Sequence, residues 1–172
     1  GDDQSKIADE IREAWKEADL ILTTGGVSVG EKDLLPGVIE NLTGNVLFHG
    51  IQVKPGMPTM LSVVKGTPVL SLSGNPFAVE ALFEVLAGGY LTDMEASRYL
   101  QKNQMKILKQ TFVKTGKMKR IVKGRCDESG VYLPQIQKNG QLKNGIGSNC
   151  LVIFPEGERT YTEGEAVWVI RI

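Results

Sequence analysis

The sequence predicts an α/β fold in which a layered, mostly parallel sheet is followed by a small β-barrel. Up to residue 99, segments with helical spacing of apolar residues alternate with short apolar runs, which is typical of strands covered by helices. Beyond residue 100, short β-type segments are separated by closely spaced turn signals, which indicates a small antiparallel barrel or sandwich. We therefore expect an α/β domain over residues 1–99 and a β-barrel domain over residues 100–172.

The α/β prediction depends on the order of the elements in the first half. Apolar residues recur at helical spacing from Ile7 to Ala18, with Asp2 or Asp3 available as an N-cap. The last helix of this half should begin with Asn75 as N-cap and Pro76 at its first position. Between these two helices we expect a buried strand, a short helix and three further strands, over residues 19–24, 34–42, 46–53, 60–64 and 69–72.

The barrel prediction depends on short segments rich in β-forming residues. Turn signals separate them, as at Glu128-Ser129-Gly130 and Pro155-Glu156-Gly157. A linker near residues 97–104 should join the two domains. The predicted strands lie at residues 106–114, 119–125, 130–135, 150–154 and 166–172.

Charge and composition exclude several classes of protein. Twenty basic and twenty acidic residues give zero net charge, which argues against nucleic acid or a membrane surface as the main partner. Two cysteines and one histidine offer neither a disulfide scaffold nor a Cys/His metal cluster. No apolar run approaches the roughly 20 residues of a membrane span and no signal-like segment opens the chain, so we expect a cytoplasmic protein. Because the chain opens with Gly1 rather than Met, we expect a piece of a longer protein.

A glycine-rich turn follows the first predicted strand and carries the strongest chemical signal. Gly25, Gly26 and Gly30 allow the backbone to approach a ligand closely, so that turn N–H groups can hold an anion. Ser28 adds a hydroxyl donor, and the carboxylate of Asp33 beside a phosphate site points to a bridging Mg²⁺. In the alternative interpretation, the glycines only form a tight turn and Asp33 only caps a helix. A Walker A loop fits poorly, because no Ser or Thr follows the lysine.

A second strand-to-helix junction contains Ser73, Gly74 and Asn75, and small residues again follow a buried strand. Open α/β sheets bind ligands at the carboxyl edge of their strands, so the two junctions are predicted to form opposite walls of one pocket. Lys54, on the turn between them in sequence, could clamp an anion or be an ordinary exposed charge. We interpret His49 as a structural or surface residue rather than a catalytic one.

Four segments together resemble the MoeA family of molybdopterin molybdenumtransferases, which includes the E domain of gephyrin. They are TTGGVSVGEKD (23–33), VKPGMP (53–58), LSGNPFA (72–78) and GSNCLVIFPEG (147–157). The resemblance covers nearly the whole chain. It implies an N-terminally truncated molybdopterin-binding domain, similar to MogA, before the barrel.

The resemblance also implies an activity: insertion of molybdate into adenylylated molybdopterin, with release of AMP and with Mg²⁺ or another divalent cation as cofactor. Asp33 would then be the catalytic or metal-bound carboxylate and Lys54 a catalytic, anion-binding lysine. The full-length relative would be a homodimer. The residues that would bind the pterin substrate are Gly25, Gly26, Ser28, Gly30, Pro58, Ser73, Gly74 and Asn75.

The chain departs from the family pattern at positions that the family uses around molybdate. Met57 replaces the second lysine of K-P-G-K-P, Ala78 replaces a serine after the G-N-P motif, and Asn139 stands where the barrel usually reads Q-G-S. The upstream T-G-D-E motif is also missing, so we expect the fragment alone to be inactive. These departures leave open a non-catalytic molybdopterin-binding or scaffolding module. A nucleotide pyrophosphatase with the same pterin-type domain is a third hypothesis.

Overall fold

A computed structural model of the chain describes residues 3–28, 33–87, 103–134 and 147–172. The chain forms two compact units. The first comprises Gly1–Ile51 and Gly56–Val79, and the second comprises Gln52–Pro55 and Glu80–Ile172. The predicted boundary between residues 99 and 100 and the linker over 97–104 fall largely within 88–102, outside the described residues, so both stay predictions.

The first nine elements include both helices and strands. They are α1 (Gln4–Ala14), β1 (Ile21–Thr24), α2 (Leu35–Asn41), β2 (Asn45–His49), β3 (Val53–Lys54), β4 (Met60–Val64), β5 (Thr67–Leu72), α3 (Pro76–Leu82) and a π-helical turn, Phe83–Ala87. The first unit contains a four-stranded sheet in the order β1-β5-β4-β2. None of the helices in the described ranges is long and apolar enough to cross a membrane.

This sheet is mixed, so the prediction of a mostly parallel sheet is wrong. Only the β1–β5 pair is parallel, whereas β4–β5 and β2–β4 are antiparallel. The reason is a two-residue hairpin between β4 and β5, where Lys65 has a φ of 53° and Gly66 a φ of 91°. Positive φ at both central residues matches the twist of a tight hairpin, which joins antiparallel neighbours. The alternation of helix and strand patterns gives no sign of this Lys-Gly turn.

The core of the first unit lies between the sheet and the helices α1 and α2. Ile21, Val69 and Met60 from three neighbouring strands belong to one buried cluster with Ile11 of α1 and Ile39 of α2. Each such buried aliphatic side chain stabilises the fold by about 1.5–3 kcal/mol. Asp3 starts α1 as predicted, because its carboxylate accepts a hydrogen bond from the Ser5 amide at 2.9 Å.

The second unit consists mainly of antiparallel β-structure, as predicted. Its main sheet runs in the order β3-β8-β10-β12-β6, with β9 added to β8, and β7 pairs with β11 separately. Closure of these strands into a barrel stays a prediction. The strands are β6 (Asn103–Ile107), β7 (Phe112–Lys114), β8 (Lys119–Cys126), β9 (Val131–Tyr132), β10 (Cys150–Phe154), β11 (Arg159–Tyr161) and β12 (Ala166–Arg171).

The segment 52–55 leaves the first unit and adds the short strand β3 to the second. Val53 and Lys54 pair in parallel with Lys119 and Arg120 of β8, and the Lys119 amide donates to the Gln52 carbonyl at 3.0 Å. The strand predicted over 46–53 is therefore split into β2 and β3. At the predicted turn after Val53, the chain returns from the second unit to the first, which it re-enters at Gly56.

The two cysteines are free and lie in the core of the second unit. Burial, together with the neighbouring Cys126 thiol, raises the pKa of Cys150 to about 12. The reactive thiolate form is therefore suppressed at neutral pH.

Candidate functional site

The two predicted ligand loops meet at one edge of the first unit's sheet. Strands β1 and β5 run parallel and end together, with Thr24 opposite Leu72. The Gly25 amide extends this pairing by donating to the Leu72 carbonyl at 2.9 Å. A Cβ atom added to Gly74 would lie only 3.6 Å from the Cα atom of Gly25. The junctions after β1 and β5 are therefore adjacent walls of one region, at the carboxyl end of the strands where open α/β sheets bind ligands.

The loop after β1 takes its shape from glycine and from three external hydrogen bonds. Gly25 and Gly26 have φ values of 84° and 64°, a conformation that residues with a Cβ adopt only at a cost. The first of these bonds is the Gly25 bond to β5, and the second joins the Gly26 carbonyl to the Leu35 amide of α2 at 3.1 Å. In the third, Nε2 of His49 donates to the buried Val27 carbonyl at 2.7 Å. His49 thus supports the loop from the edge strand, a role consistent with its structural interpretation.

Of the other predicted site residues in this loop, the structure describes Ser28 and Asp33 but not Gly30. Ser28 is exposed just beyond the two glycines, whereas Gly30 lies outside the described residues. Asp33 is half-buried, two residues before the start of α2. The N-cap position of α2 is Leu34, and no side chain forms a capping bond there. Because Gly26 and Leu35 are bonded, Asp33 and Ser28 both belong to a loop that closes at this edge of the sheet.

The loop after β5 is organised by a side chain instead. Oδ1 of Asn75 accepts hydrogen bonds from the amides of Phe77 and Ala78, at 3.0 and 3.1 Å, which confirms Asn75 as the N-cap. Those two amides are therefore already occupied. The start of this helix therefore does not offer these two N–H groups to an anion, and the predicted ligand-binding roles of Ser73, Gly74 and Asn75 stay predictions.

Two buried hydroxyl groups below the loops were missed by the sequence analysis. Oγ1 of Thr23 and Oγ of Ser71 are buried and have no hydrogen-bond partner among the described residues. Thr23 and Ser71 are also direct partners across the parallel β1–β5 pair, so their side chains lie on one face. An unsatisfied buried hydroxyl costs about 1–3 kcal/mol. The signal available in the sequence was a hydroxyl residue near the end of each of two buried strands.

The predicted residues Lys54 and Pro58 fall in different units. Lys54 is exposed in β3 of the second unit, where its register partner is Arg120. Pro58 is half-buried in the first unit, within a loop closed by bonds from the Gly50 amide to the Thr59 carbonyl and from the Ile51 amide to the Met57 carbonyl. Across residues 3–28, 33–87, 103–134 and 147–172, no group of three or more His, Cys, Asp or Glu side chains is placed to hold a metal ion.

Solved structures with the same fold include MoeA proteins from archaea. The molybdopterin biosynthesis MoeA protein from Pyrococcus horikosii superposes with a TM-score of 0.79 and 26% identity, over 98% of this chain and 41% of that one. A molybdenum cofactor biosynthesis protein from Pyrococcus furiosus shares the fold at a TM-score of 0.74 and 23% identity, over 99% of this chain and 55% of that one. The resemblance to MoeA inferred from the motifs is thus confirmed.

Curated relatives and a family model agree with this likeness. Molybdopterin molybdenumtransferases from Staphylococcus aureus (strain COL) and Staphylococcus epidermidis (strain ATCC 12228 / FDA PCI 1200) are 29% and 27% identical to the chain. Each alignment covers 98% of this chain but only 42% of the relative, so the chain spans less than half the length of these proteins. The model of the family described as "Probable molybdopterin binding domain" matches residues 1–93. The chain therefore belongs to the family of probable molybdopterin binding domains.

Proposed function

We propose that this chain is the C-terminal part of a molybdopterin molybdenumtransferase and that its paired loops bind the phosphate-bearing part of adenylylated molybdopterin. The observation that carries the proposal is the apposition of the two loops. Gly25 and Gly74 lie next to each other: a Cβ atom added to Gly74 would be 3.6 Å from the Cα atom of Gly25, and neither residue has a side chain that would cover the edge. Such a glycine-lined edge lets a ligand reach backbone N–H groups that a Cβ atom would shield.

The residues at this edge have separate tasks in the proposed reaction, in which molybdate enters the pterin and AMP leaves. Gly25 and Gly26 leave room for the phosphate, and the exposed hydroxyl of Ser28 donates a hydrogen bond to it. Positioning and charge neutralisation are the main contributions a protein makes to cleavage of such a phosphate bond. Lys54, an exposed lysine of the second unit, keeps its predicted role as an anion-binding residue.

Asp33 would hold the divalent cation that neutralises the phosphates. A single carboxylate fits this role, because Mg²⁺ at phosphate sites is bound by one or two carboxylates together with substrate oxygens and water. The half-buried position of Asp33 in the loop that also carries Ser28 supports the assignment. The buried, unpartnered hydroxyls of Thr23 and Ser71 add polar atoms beneath the same edge.

The departures from the family pattern affect the molybdate side of the proposal. Met57 is 47% exposed, so an apolar thioether stands where the family has a lysine, while Ala78 is fully buried in α3. Asn139 lies outside the described residues. A non-catalytic scaffolding module is the alternative that these changes motivate. The names of the relatives favour the transferase.

Several finer features complete the proposal for the whole protein. We infer that the second unit closes into a β-barrel, that the domain boundary lies at residues 99–100, and that the complete protein is a cytoplasmic homodimer. Sedimentation velocity of the complete protein would measure its oligomeric state, and a monomer at micromolar concentration would contradict the dimer.

The decisive experiment compares two charge-removing variants of the complete protein. Asp33→Asn removes the proposed cation ligand without changing the size of the side chain, and Glu40→Gln removes an exposed carboxylate from α2 of the same unit. We expect Asp33→Asn to lower AMP release from adenylylated molybdopterin by roughly 10²–10³-fold, the usual effect of removing one electrostatic catalytic group. Glu40→Gln should retain activity.

Growth of cells that lack their own transferase gives an independent readout of the same variants. Full rescue by Asp33→Asn would count against the assigned role of this carboxylate. Tight binding of the pterin without any release of AMP, by the protein with its natural sequence, would instead support the scaffolding alternative.

A further inference from the structure

The second unit contains a pocket that the proposed reaction does not use. It encloses about 310 Å³ and is lined by residues of β7 and of the segments that flank it, together with Arg120 of β8. Its lining side chains include two cations and three neutral hydrogen-bonding groups, but no carboxylate. Glu158 accepts a hydrogen bond from the Gly116 amide at 3.1 Å and does not line the pocket. The pocket is therefore suited to an anion rather than to a cation.

Arg120 is the cation best placed to meet a ligand. Along β8 it shares a strand face with Val122 and Cys126, which belong to the core of the second unit. Its direct partner on the next strand is Phe154, which is fully buried. Within the described part of the chain, the guanidinium group makes no hydrogen bond or ion pair. An inward-facing, half-exposed arginine without a partner is unusual, because the five N–H donors of a guanidinium normally find acceptors.

Lys114, a buried residue of the pocket lining, adds a second positive charge. This lysine is only 2% exposed, and its Nζ atom donates to the carbonyl oxygens of Gly116, at 2.8 Å, and of Gly157. Both acceptors are neutral, and no carboxylate of the described residues forms an ion pair with this charge. A positive charge in the wall of a pocket raises the local concentration of anions. Lys114 therefore acts on a ligand through its field, whereas Arg120 can contact it.

One wall of the pocket is apolar and flat. Phe112 lines it and stacks on Phe154, with ring centroids 4.5 Å apart and an angle of 25° between the rings. Pro134 contributes a further apolar surface, and Gln110 is fixed at the rim because its Oε1 accepts the Leu133 amide at 3.2 Å. The cavity is larger than a phosphate ion needs. A ligand that fills it therefore has an organic part as well as a charged group.

We propose that this pocket binds a small organic anion whose phosphate or carboxylate group pairs with Arg120 and whose flat apolar part lies against Phe112 and Pro134. A guanidinium group matches both oxyanions, because its parallel N–H donors can form two hydrogen bonds with either. The site belongs to the second unit alone. Its existence does not depend on the chemistry proposed for the glycine loops.

Titration of the complete 172-residue chain with phenyl phosphate tests the proposal. The binding is followed by amide chemical shifts in NMR spectra, which also locate the ligand. We expect saturable shifts at residues 110–115 and 120. Arg120→Gln should weaken binding by roughly tenfold, which corresponds to the loss of one charge-assisted pair. The matched control is Lys119→Gln, which removes the same charge from an exposed neighbour on the opposite strand face and should change the dissociation constant by less than about twofold.

Three further probes separate the parts of the ligand. Tighter binding of phenyl phosphate than of benzoate would identify a phosphate as the charged group, and the reverse order would identify a carboxylate. Inorganic phosphate that binds as tightly as phenyl phosphate would overturn the role of the apolar wall. Phenol that binds as tightly would overturn the role of the charge.

The variants also show when the proposal fails. Equal affinity of Arg120→Gln and the natural sequence, or equal weakening by Lys119→Gln, would overturn it. If the thermal melt shows that Arg120→Gln is unfolded, Arg120→Lys replaces it. That change keeps the charge but loses the two-pronged geometry, so roughly threefold weaker binding is expected, and unchanged affinity would again overturn the proposal.

Discussion

The two loops that meet at the edge of the first sheet are built in different ways. The loop after β1 depends on its backbone: two glycines with positive φ, held by hydrogen bonds to β5, to α2 and to His49. The loop after β5 depends on one side chain, that of Asn75, which caps α3. A loop fixed by backbone conformation tolerates few residue types. A loop fixed by a cap can be changed at its other positions without strain.

This difference also decides which loop can offer N–H groups to a ligand. The first two amides that α3 could present after Pro76 are occupied by Asn75, so a ligand cannot use them without breaking the cap. The start of α2 offers no more, because the Leu35 amide already donates to the Gly26 carbonyl and Pro36 has no N–H group. We infer that a phosphate group is recognised mainly by the turn from Gly26 to Ser28, and that the second loop provides shape.

The largest loss of stability is expected for Gly25→Ala. At a φ of 84°, a Cβ atom costs about 1–2 kcal/mol, although nothing lies within 4 Å of its position. Urea unfolding of the purified chain measures the loss. The matched control is Gly37→Ala, which makes the same chemical change inside α2 and should stabilise by about 0.5–1 kcal/mol. Equal stability of the two variants would show that the first loop is not fixed by its backbone.

A somewhat smaller loss is expected for Asn75→Ala, because it removes the acceptor of two hydrogen bonds. The cost of losing such an N-cap is about 1 kcal/mol. Asn75→Asp is the control, since aspartate caps a helix equally well and should keep the stability. The same Asn75→Asp variant should bind the anionic pterin more weakly, because it adds a negative charge beside the proposed site. A stable Asn75→Ala variant would mean that other contacts organise the second loop.

Removal of a buried hydroxyl below the loops should stabilise the protein, whereas the two preceding changes destabilise it. Ser71→Ala deletes an unpartnered polar atom and is expected to raise the free energy of unfolding by up to about 1 kcal/mol. Ser62→Ala on the same sheet face is the control, because its hydroxyl has a partner, the Val69 carbonyl at 3.5 Å, and so should not gain stability. Equal changes in the two thermal melts would show that the Ser71 hydroxyl is satisfied in solution.

Much of this site could be predicted from the sequence because its determinants are local. The glycine turn, the Asn75 cap and the adjacency of the two loops follow from strand-then-turn patterns and from the way parallel strands end together. The strand directions could not be predicted from alternation alone, because the two residues Lys65 and Gly66 reverse the chain. The departure of β3 into the second unit was also missed, since a two-residue strand has no periodicity to read. The Thr23–Ser71 pair depends on register, which only the folded sheet fixes.

Gly74→Ala should have the smallest effect on stability. It is also the sharpest test of whether the loop after β5 takes part in binding together with the loop after β1. The added methyl group would lie 3.6 Å from the Cα atom of Gly25, an ordinary contact distance, and Gly74 is not among the positive-φ residues. Stability should therefore change by less than about 0.5 kcal/mol. The methyl group nevertheless adds bulk at the edge where the two loops meet, so binding of molybdopterin at that edge should weaken by roughly tenfold. Equilibrium dialysis of the pterin against this variant and against Gly37→Ala measures the difference. Equal affinities would mean that the ligand does not contact Gly74, and the second loop would then have no part in recognition.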